Sequence, residues 1–129
     1  MFVKPTFILL AAILYPAELN ISSSGITKNL QKHILGEYQM MDCVSSSGRP
    51  VWQKGSSSRY LYFRKKKWWF GPDHAKAFGY EFSVETGLSE IPQNGWAVYN
   101  GTNWLSDPEF IVLIASTPNK TMSCTIGCH

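Results

Sequence analysis

Tyr60-Leu61-Tyr62-Phe63-Arg64-Lys65-Lys66-Lys67-Trp68-Trp69-Phe70-Gly71 is the stretch that decides the fold. Tyr60 to Phe63 is rich in strand formers, with Leu61 and Phe63 on one face and the two tyrosines on the other. Arg64 to Lys67 reads as a charged hairpin tip. Trp68-Trp69-Phe70 reads as the return strand, which Gly71-Pro72-Asp73 stops. A hairpin this aromatic has an apolar face that must be buried, so more strands are expected around it.

The flanks supply them. Upstream, Glu37 to Val44 reads as a strand and Ser45-Ser46-Ser47-Gly48 as a turn. Arg49-Pro50-Val51-Trp52-Gln53 reads as a second strand, with Pro50 pointing to an edge. Downstream, Tyr80 to Val84 is strand-like and Thr86 to Gly95 is a loop. Gly95-Trp96-Ala97-Val98-Tyr99 runs into Asn100-Gly101, the pair favoured in a tight hairpin turn, with Trp104 on the far side. Phe110 to Ala115 is continuously apolar and β-branched, which predicts a central strand buried on both faces. Ile26, Leu30 and Ile34 recur at a spacing of four. They predict a short N-terminal helix from Thr27 to Leu35, capped by Thr27 and stopped by Gly36, with an edge strand as the rival. The fold class expected is all-β: a small antiparallel meander, as a barrel or a sandwich.

The N-terminus reads differently. Lys4 precedes an apolar run from Phe7 to Tyr15, then Pro16 and Ala17. This is the shape of a secretory signal peptide, assigned to residues 1–20, with the cut between Ala17 and Ser24. The run is shorter than the roughly 20 residues of a membrane span. Residues 21–129 are then a single extracellular β domain with its core at about 36–116. Asn20, Asn100 and Asn119 head Asn-x-Ser/Thr acceptor sequences for glycosylation, and Asn100 is favoured because it lies in a turn signal.

Of the 129 residues, 44% are hydrophobic and 16% charged, which excludes a disordered tail. The net charge of +3 is too mild to suggest nucleic-acid binding. It hides an asymmetry. From Arg49 to Lys76 eight basic residues face Asp73 alone, whereas Ala77 to His129 carries one basic residue and five acids. The basic stretch also holds most of the tryptophans. Arg64, Lys65, Lys66 and Lys67, with Tyr60 and Tyr62, are therefore the candidate ligand-binding residues, for sulfated or uronic glycans or acidic matrix proteins. The competing view is a solvated tip that discourages edge aggregation, or one neutralised by Glu81, Glu85 or Glu90.

Three cysteines in an exported chain point to one disulfide. Cys43 is expected to pair with Cys124, with Cys128 as the alternative partner and Cys124–Cys128 as a local option. The odd cysteine is left free or links two chains. Cys124, Cys128 and His129 make a weak metal set with no fourth ligand, so no metal or other cofactor is expected. Glu81 and Glu85, His74 beside Asp73, and His33 form no catalytic pattern. A small secreted hydrolase is accordingly the least favoured class.

Gly36-Glu37-Tyr38, Gly48-Arg49-Pro50-Val51-Trp52, Tyr60-Leu61-Tyr62-Phe63, Trp68-Trp69-Phe70-Gly71, Gly95-Trp96, Asn100-Gly101 and Trp104 come in an order that resembles a β-rich extracellular module of marine invertebrate proteins. The likeness spans about Gly36 to Ala115. It implies a non-enzymatic extracellular building block and carries over no catalytic residue. A looser likeness is to shell or skeletal matrix proteins, although the aspartate-rich composition of mineral binders is absent. The expected function is a secreted structural or ligand-binding domain. The alternative is a polyanion- or glycan-binding defence protein that uses the 64–67 hairpin.

Overall fold

The computed structural model describes residues 14–77, 79–84, 86–87, 90–115 and 118–121. Its strands are β1 (Leu14–Tyr15), β2 (Glu18–Ser23), β3 (Gly36–Ser46), β4 (Arg49–Gln53), β5 (Tyr60–Arg64), β6 (Lys67–Gly71), β7 (Glu81–Ser83), β8 (Trp96–Tyr99), β9 (Trp104–Asp107), β10 (Phe110–Ile114) and β11 (Lys120–Thr121). The helix α1 (Thr27–Leu30) and a 3₁₀ turn (Lys32–Ile34) lie between β2 and β3. Nine strands form one antiparallel sheet in the order β10-β2-β3-β4-β5-β6-β7-β8-β9, and β1 pairs with β11 separately. The sheet curls into a nearly closed barrel, so the all-β expectation holds.

Register explains the core. Met40, Trp52, Leu61, Phe70, Glu81 and Val98 are successive cross-strand partners, and all six are buried. Paired residues share a face, so this row is the barrel interior: five apolar side chains and one carboxyl. Phe63 pairs with Trp68 in the next row. Phe70 packs its ring against Tyr38, Trp96 and Phe110 at 5.0–5.5 Å. Large aromatics are usable inside because the indole N–H groups find acceptors. Trp52 Nε1 donates to the Pro16 carbonyl at 2.8 Å and Trp96 Nε1 to that of Pro92 at 3.1 Å. The outer face has its own row of partners: Tyr62, Trp69, Phe82, Ala97 and Ser106.

Five expectations need correction. The division at residue 20 falls inside β2, a strand between β3 and β10 whose Leu19 and Ile21 are core residues. The core therefore begins at Leu19 rather than near 36, because the barrel needs β2 to join β3 to β10. Phe110 to Ile114 is an edge strand, not a central one. Phe110 and Val112 point inward, while Ile111, Leu113 and Ile114 are exposed, so an unbroken apolar run concealed an alternation. The Asn100-Gly101 hairpin exists, but Tyr99 pairs with Trp104 across a four-residue connection. The predicted helix is one turn of α-helix followed by a 3₁₀ turn, and Thr27 is a helical residue rather than the cap. Pro50 lies in an interior strand, beside the register shift between Met40 and Ser45 where the ladder is already interrupted.

Two glycines are fixed by close approach. At Gly79 a Cβ would stand 2.3 Å from the Phe70 carbonyl oxygen, because the chain crosses β6 there and Tyr80 donates its N–H to that oxygen at 2.7 Å. At Gly25 a Cβ would stand 2.3 Å from Asp107 Oδ1.

The place of β2 is directly testable. Leu19 is 1% exposed, so Leu19→Ala should destabilise the folded protein by about 3 kcal/mol in urea unfolding. An unchanged midpoint would mean that residue 19 lies outside the fold.

Candidate functional site

The β5–β6 hairpin shows an unusual choice of residues. Arg64 pairs with Lys67, which leaves a two-residue turn of Lys65 and Lys66. Both have positive φ, +52° and +66°. Such a turn favours Asn-Gly, since a Cβ in the left-handed region costs about 1–2 kcal/mol per residue. The chain spends this strain on two lysines. Their side chains are exposed and make no hydrogen bond or ion pair among the described residues.

The rest of the basic stretch disperses. Lys67 turns from the tip onto the outer face, with its ammonium 4.6 Å from the Phe82 ring centre and 3.4 Å from the carbonyls of Ser83 and Val84. Arg64 Nε donates to the His74 carbonyl at 3.3 Å. Arg49 lies over the Phe63 ring at 3.6 Å. Lys76 makes an exposed 3.9 Å ion pair with Asp73. Lys54 and Arg59 lie at the other end of β5 from the tip and contact His33. Of the acids proposed to neutralise the tip, Glu81 is buried in the interior and Glu85 lies outside the described residues. Glu90 helps wall a cavity of about 1030 Å³ together with Leu14, Arg49, Ile91 and Val112.

The two tyrosines separate. Tyr60 is half-buried with its ring edge-on to His74 at 5.2 Å. Tyr62 is fully buried. It therefore offers no stacking surface, which overturns its candidate role. The segment after β6 turns back here, and the His74 carbonyl also accepts the Ser46 hydroxyl at 3.1 Å. The outer face at this point is protein, not solvent, and strand alternation alone cannot reveal that.

Sequence reasoning missed an aromatic group beside the hairpin. Trp69, Phe82, Tyr99 and Trp104 meet on the outer face of β6–β9. Trp104 is 4.5 Å from Phe82, 5.0 Å from Tyr99 and 6.3 Å from Trp69 between ring centres. Ala97 faces the same side, and its small side chain gives Trp104 room to lean onto Phe82. Trp104 remains 39% exposed. The signal was available: Trp69 and Trp68 are adjacent, so only one of them can face inward.

A second cationic group surrounds His33. Arg59 Nε donates to His33 Nδ1 at 2.9 Å, and His33 Nε2 is 2.6 Å from Gln31 Oε1. The acceptor role of Nδ1 places the ring proton on Nε2, facing Gln31. Lys54 Nζ donates to the His33 carbonyl at 2.7 Å. Burial, Arg59 and Lys54 hold the His33 pKa below its usual value. The set borders an open hollow of about 810 Å³ that Lys28 and Lys32 also line.

The interior carboxyl belongs to a network centred on Thr27. The Thr27 hydroxyl donates to Glu81 Oε1 at 2.9 Å, and its N–H donates to Asp107 Oδ2 at 3.0 Å. Ser23 Oγ reaches the same oxygen at 2.7 Å, and Glu109 N reaches Oδ1 at 3.1 Å. Desolvation opposes ionisation of Asp107, but these hydrogen bonds outweigh it and hold its carboxyl below the usual range. Burial dominates at Glu81 and raises its pKa to about 9, and Oε2 has no hydrogen-bond partner among the described residues. An acid and a carboxylate separated in this way recur in hydrolases. Here Glu81 is sealed from solvent and Asp107 uses both oxygens to hold β2, α1 and β10.

Among the described residues no group of three or more His, Cys, Asp and Glu is placed to hold a metal, and no helix is long and apolar enough to cross a membrane. Cys43 is exposed on the β3 bulge with φ +58°. Cys124 and Cys128 lie outside the described residues. Asn20 is exposed on β2, Asn119 is exposed before β11, and Asn100 opens the β8–β9 connection. No family model, curated protein or solved structure matches the chain.

The Glu81 environment has a pH signature. The native state keeps this proton from pH 4.5 to about 9 while the unfolded chain loses it. Stability from this group is therefore full below pH 4.5 and is lost as pH rises toward 9. Glu81→Gln keeps an acceptor for Thr27 and carries no titration. The stability of the variant relative to the natural chain should rise by about 1.4 kcal/mol per pH unit across that window. Parallel Tm–pH curves would contradict the assignment.

Proposed function

We propose that the chain is an exported, non-enzymatic binding module whose hairpin tip, Lys65 and Lys66 flanked by Arg64 and Lys67, engages anionic extracellular glycans. The observation that carries this is the left-handed backbone at both lysines. A turn selected for stability alone would place Asn and Gly there. Strain retained at an exposed pair of cations with no acidic partner among the described residues is accounted for by what the cations contact. Lys67 continues the charge from the tip onto the aromatic outer face.

The export reading is refined by β2. A leader must end ahead of Glu18, since the strand that follows is part of the barrel. N-terminal sequencing of secreted material should find a start no later than Glu18. The Cys43 clasp to Cys124, with Cys128 as the alternative, is supported by one contact beside Cys43. Lys120 Nζ is 3.5 Å from Asp42 Oδ1, next to Cys43, and β11 carries the chain onward from there. The remaining cysteine is then available to link a second chain. Peptide mapping without reduction should recover Cys43 joined to a C-terminal peptide.

The hairpin proposal predicts opposite changes in stability and binding. Lys65→Asn with Lys66→Gly should stabilise the fold by about 1–2 kcal/mol, by relieving the turn. The same double variant should lose roughly an order of magnitude in heparin affinity and elute at lower salt. Unchanged heparin elution from a stabilised variant would sink the binding role.

A further inference from the structure

The aromatic group on the outer face ends at Asn100. Tyr99 and Trp104 are paired across the β8–β9 connection, and their rings are 5.0 Å apart. Between them the Asn100 side chain is fixed. Its Oδ1 accepts the backbone N–H of Thr102 at 2.8 Å and of Asn103 at 2.7 Å, while Asn100 N donates to the Asn103 carbonyl at 3.0 Å. Holding Oδ1 inward turns the other side-chain atom, Nδ2, outward. Nδ2 makes no hydrogen bond among the described residues, and Asn100 is exposed. Nδ2 is the atom to which an N-linked sugar is attached, and Asn100-Gly101-Thr102 is an acceptor sequence.

We infer that Asn100 carries an N-linked glycan whose first N-acetylhexosamine packs on the exposed faces of Trp104 and Tyr99, covering the distal end of the aromatic group. This rests on the export reading. The chemistry fits: the C–H-bearing face of a pyranose is apolar and weakly positive, and the face of an indole is apolar and negative. The geometry fits as well. Attachment is one residue from Tyr99 and four from Trp104, on a loop held by three hydrogen bonds, so little ordering is needed to bring sugar and ring together. Attachment to a nascent chain precedes folding, and the folded loop leaves the modified atom in solvent. The other two acceptor sites lack this neighbour: the rings grouped on the outer face are Trp69, Phe82, Tyr99 and Trp104, on β6–β9. The covered end lies across the aromatic group from the lysine tip, which stays open.

The test uses the full chain secreted from a eukaryotic host. Peptide mapping should find Asn100 occupied. Trimming to a single N-acetylhexosamine should leave the Tm unchanged. Thr102→Ala abolishes the acceptor but keeps both backbone hydrogen bonds to Asn100, and it should lower the Tm by about 4 °C. In a Trp104→Ala background, or in Trp104→Leu if the alanine variant does not fold, that difference should vanish. A chain secreted bare at Asn100 overturns this inference and leaves the export reading standing. A chain retained in the cell overturns the export reading, and this inference with it. A Tm difference that persists without Trp104 shows a glycan that does not pack on the ring. A Thr102→Ala protein that dimerises, with dimerisation abolished by removing Trp104, shows that a second copy covers the face instead.

Discussion

The barrel depends on one carboxylate. β9 and β10 are the two edges of the sheet, and Asp107 is the last residue of β9. Its oxygens take the Ser23 hydroxyl at the end of β2, the Thr27 amide at the start of α1 and the Glu109 amide just before β10. A curled sheet with two unpaired edges invites pairing with other chains. Here a single side chain draws one edge onto the strand next to the other. The approach is so close that a Cβ at residue 25 would displace Asp107 Oδ1. Through Thr27 the same centre reaches Glu81, so closure of the barrel and burial of its interior carboxyl are one arrangement. Glu81 stays neutral beside Asp107 because burial favours the proton, whereas Asp107 is stabilised as the anion by three donors.

How much of this was legible in the sequence follows from what each signal reports. The β5–β6 hairpin was legible because composition, charge and the Gly-Pro stop agree. Alternation placed Leu61 and Phe63 inside, and the register confirms it. β2 was not legible, because residues 18–23 adjoin a leader-like run and short apolar spacing is shared by both. β10 was misplaced because Ile111 and Leu113 are apolar on the outer face, so the run carries no period that marks a surface. Tyr62 was misjudged because its burial comes from a chain segment that sequence spacing does not locate.

The turns show the same limit from the other side. Asn100-Gly101 carries the strongest hairpin signal in the chain, yet it sits in a four-residue connection where the asparagine holds two amides. Lys65-Lys66 carries no such signal, yet it adopts the two-residue turn. Local preference assigns turns when nothing else acts on them. Where the strands' register is fixed by aromatic partners such as Phe63–Trp68 and Leu61–Phe70, the turn residues take the conformation left to them. That freedom is what lets cations occupy the tip.

The position of β2 has a consequence for how the chain becomes a barrel. Ile21 is near the N-terminus, yet its partner Val112 comes roughly ninety residues later. A chain synthesised from its N-terminus presents Leu19 and Ile21 long before the strand that completes their shelter. Contacts between such distant parts form slowly, and the waiting strand is open to misassembly. The meander from β3 to β8, built almost wholly of neighbours in sequence, can form meanwhile and offer β3 as a template for β2. Arrival of β10 would then be the last event of folding. A truncation ahead of β10, which takes β11 with it, would leave an assembled meander with β2 unsheltered, a species suited to retention by chaperones rather than release.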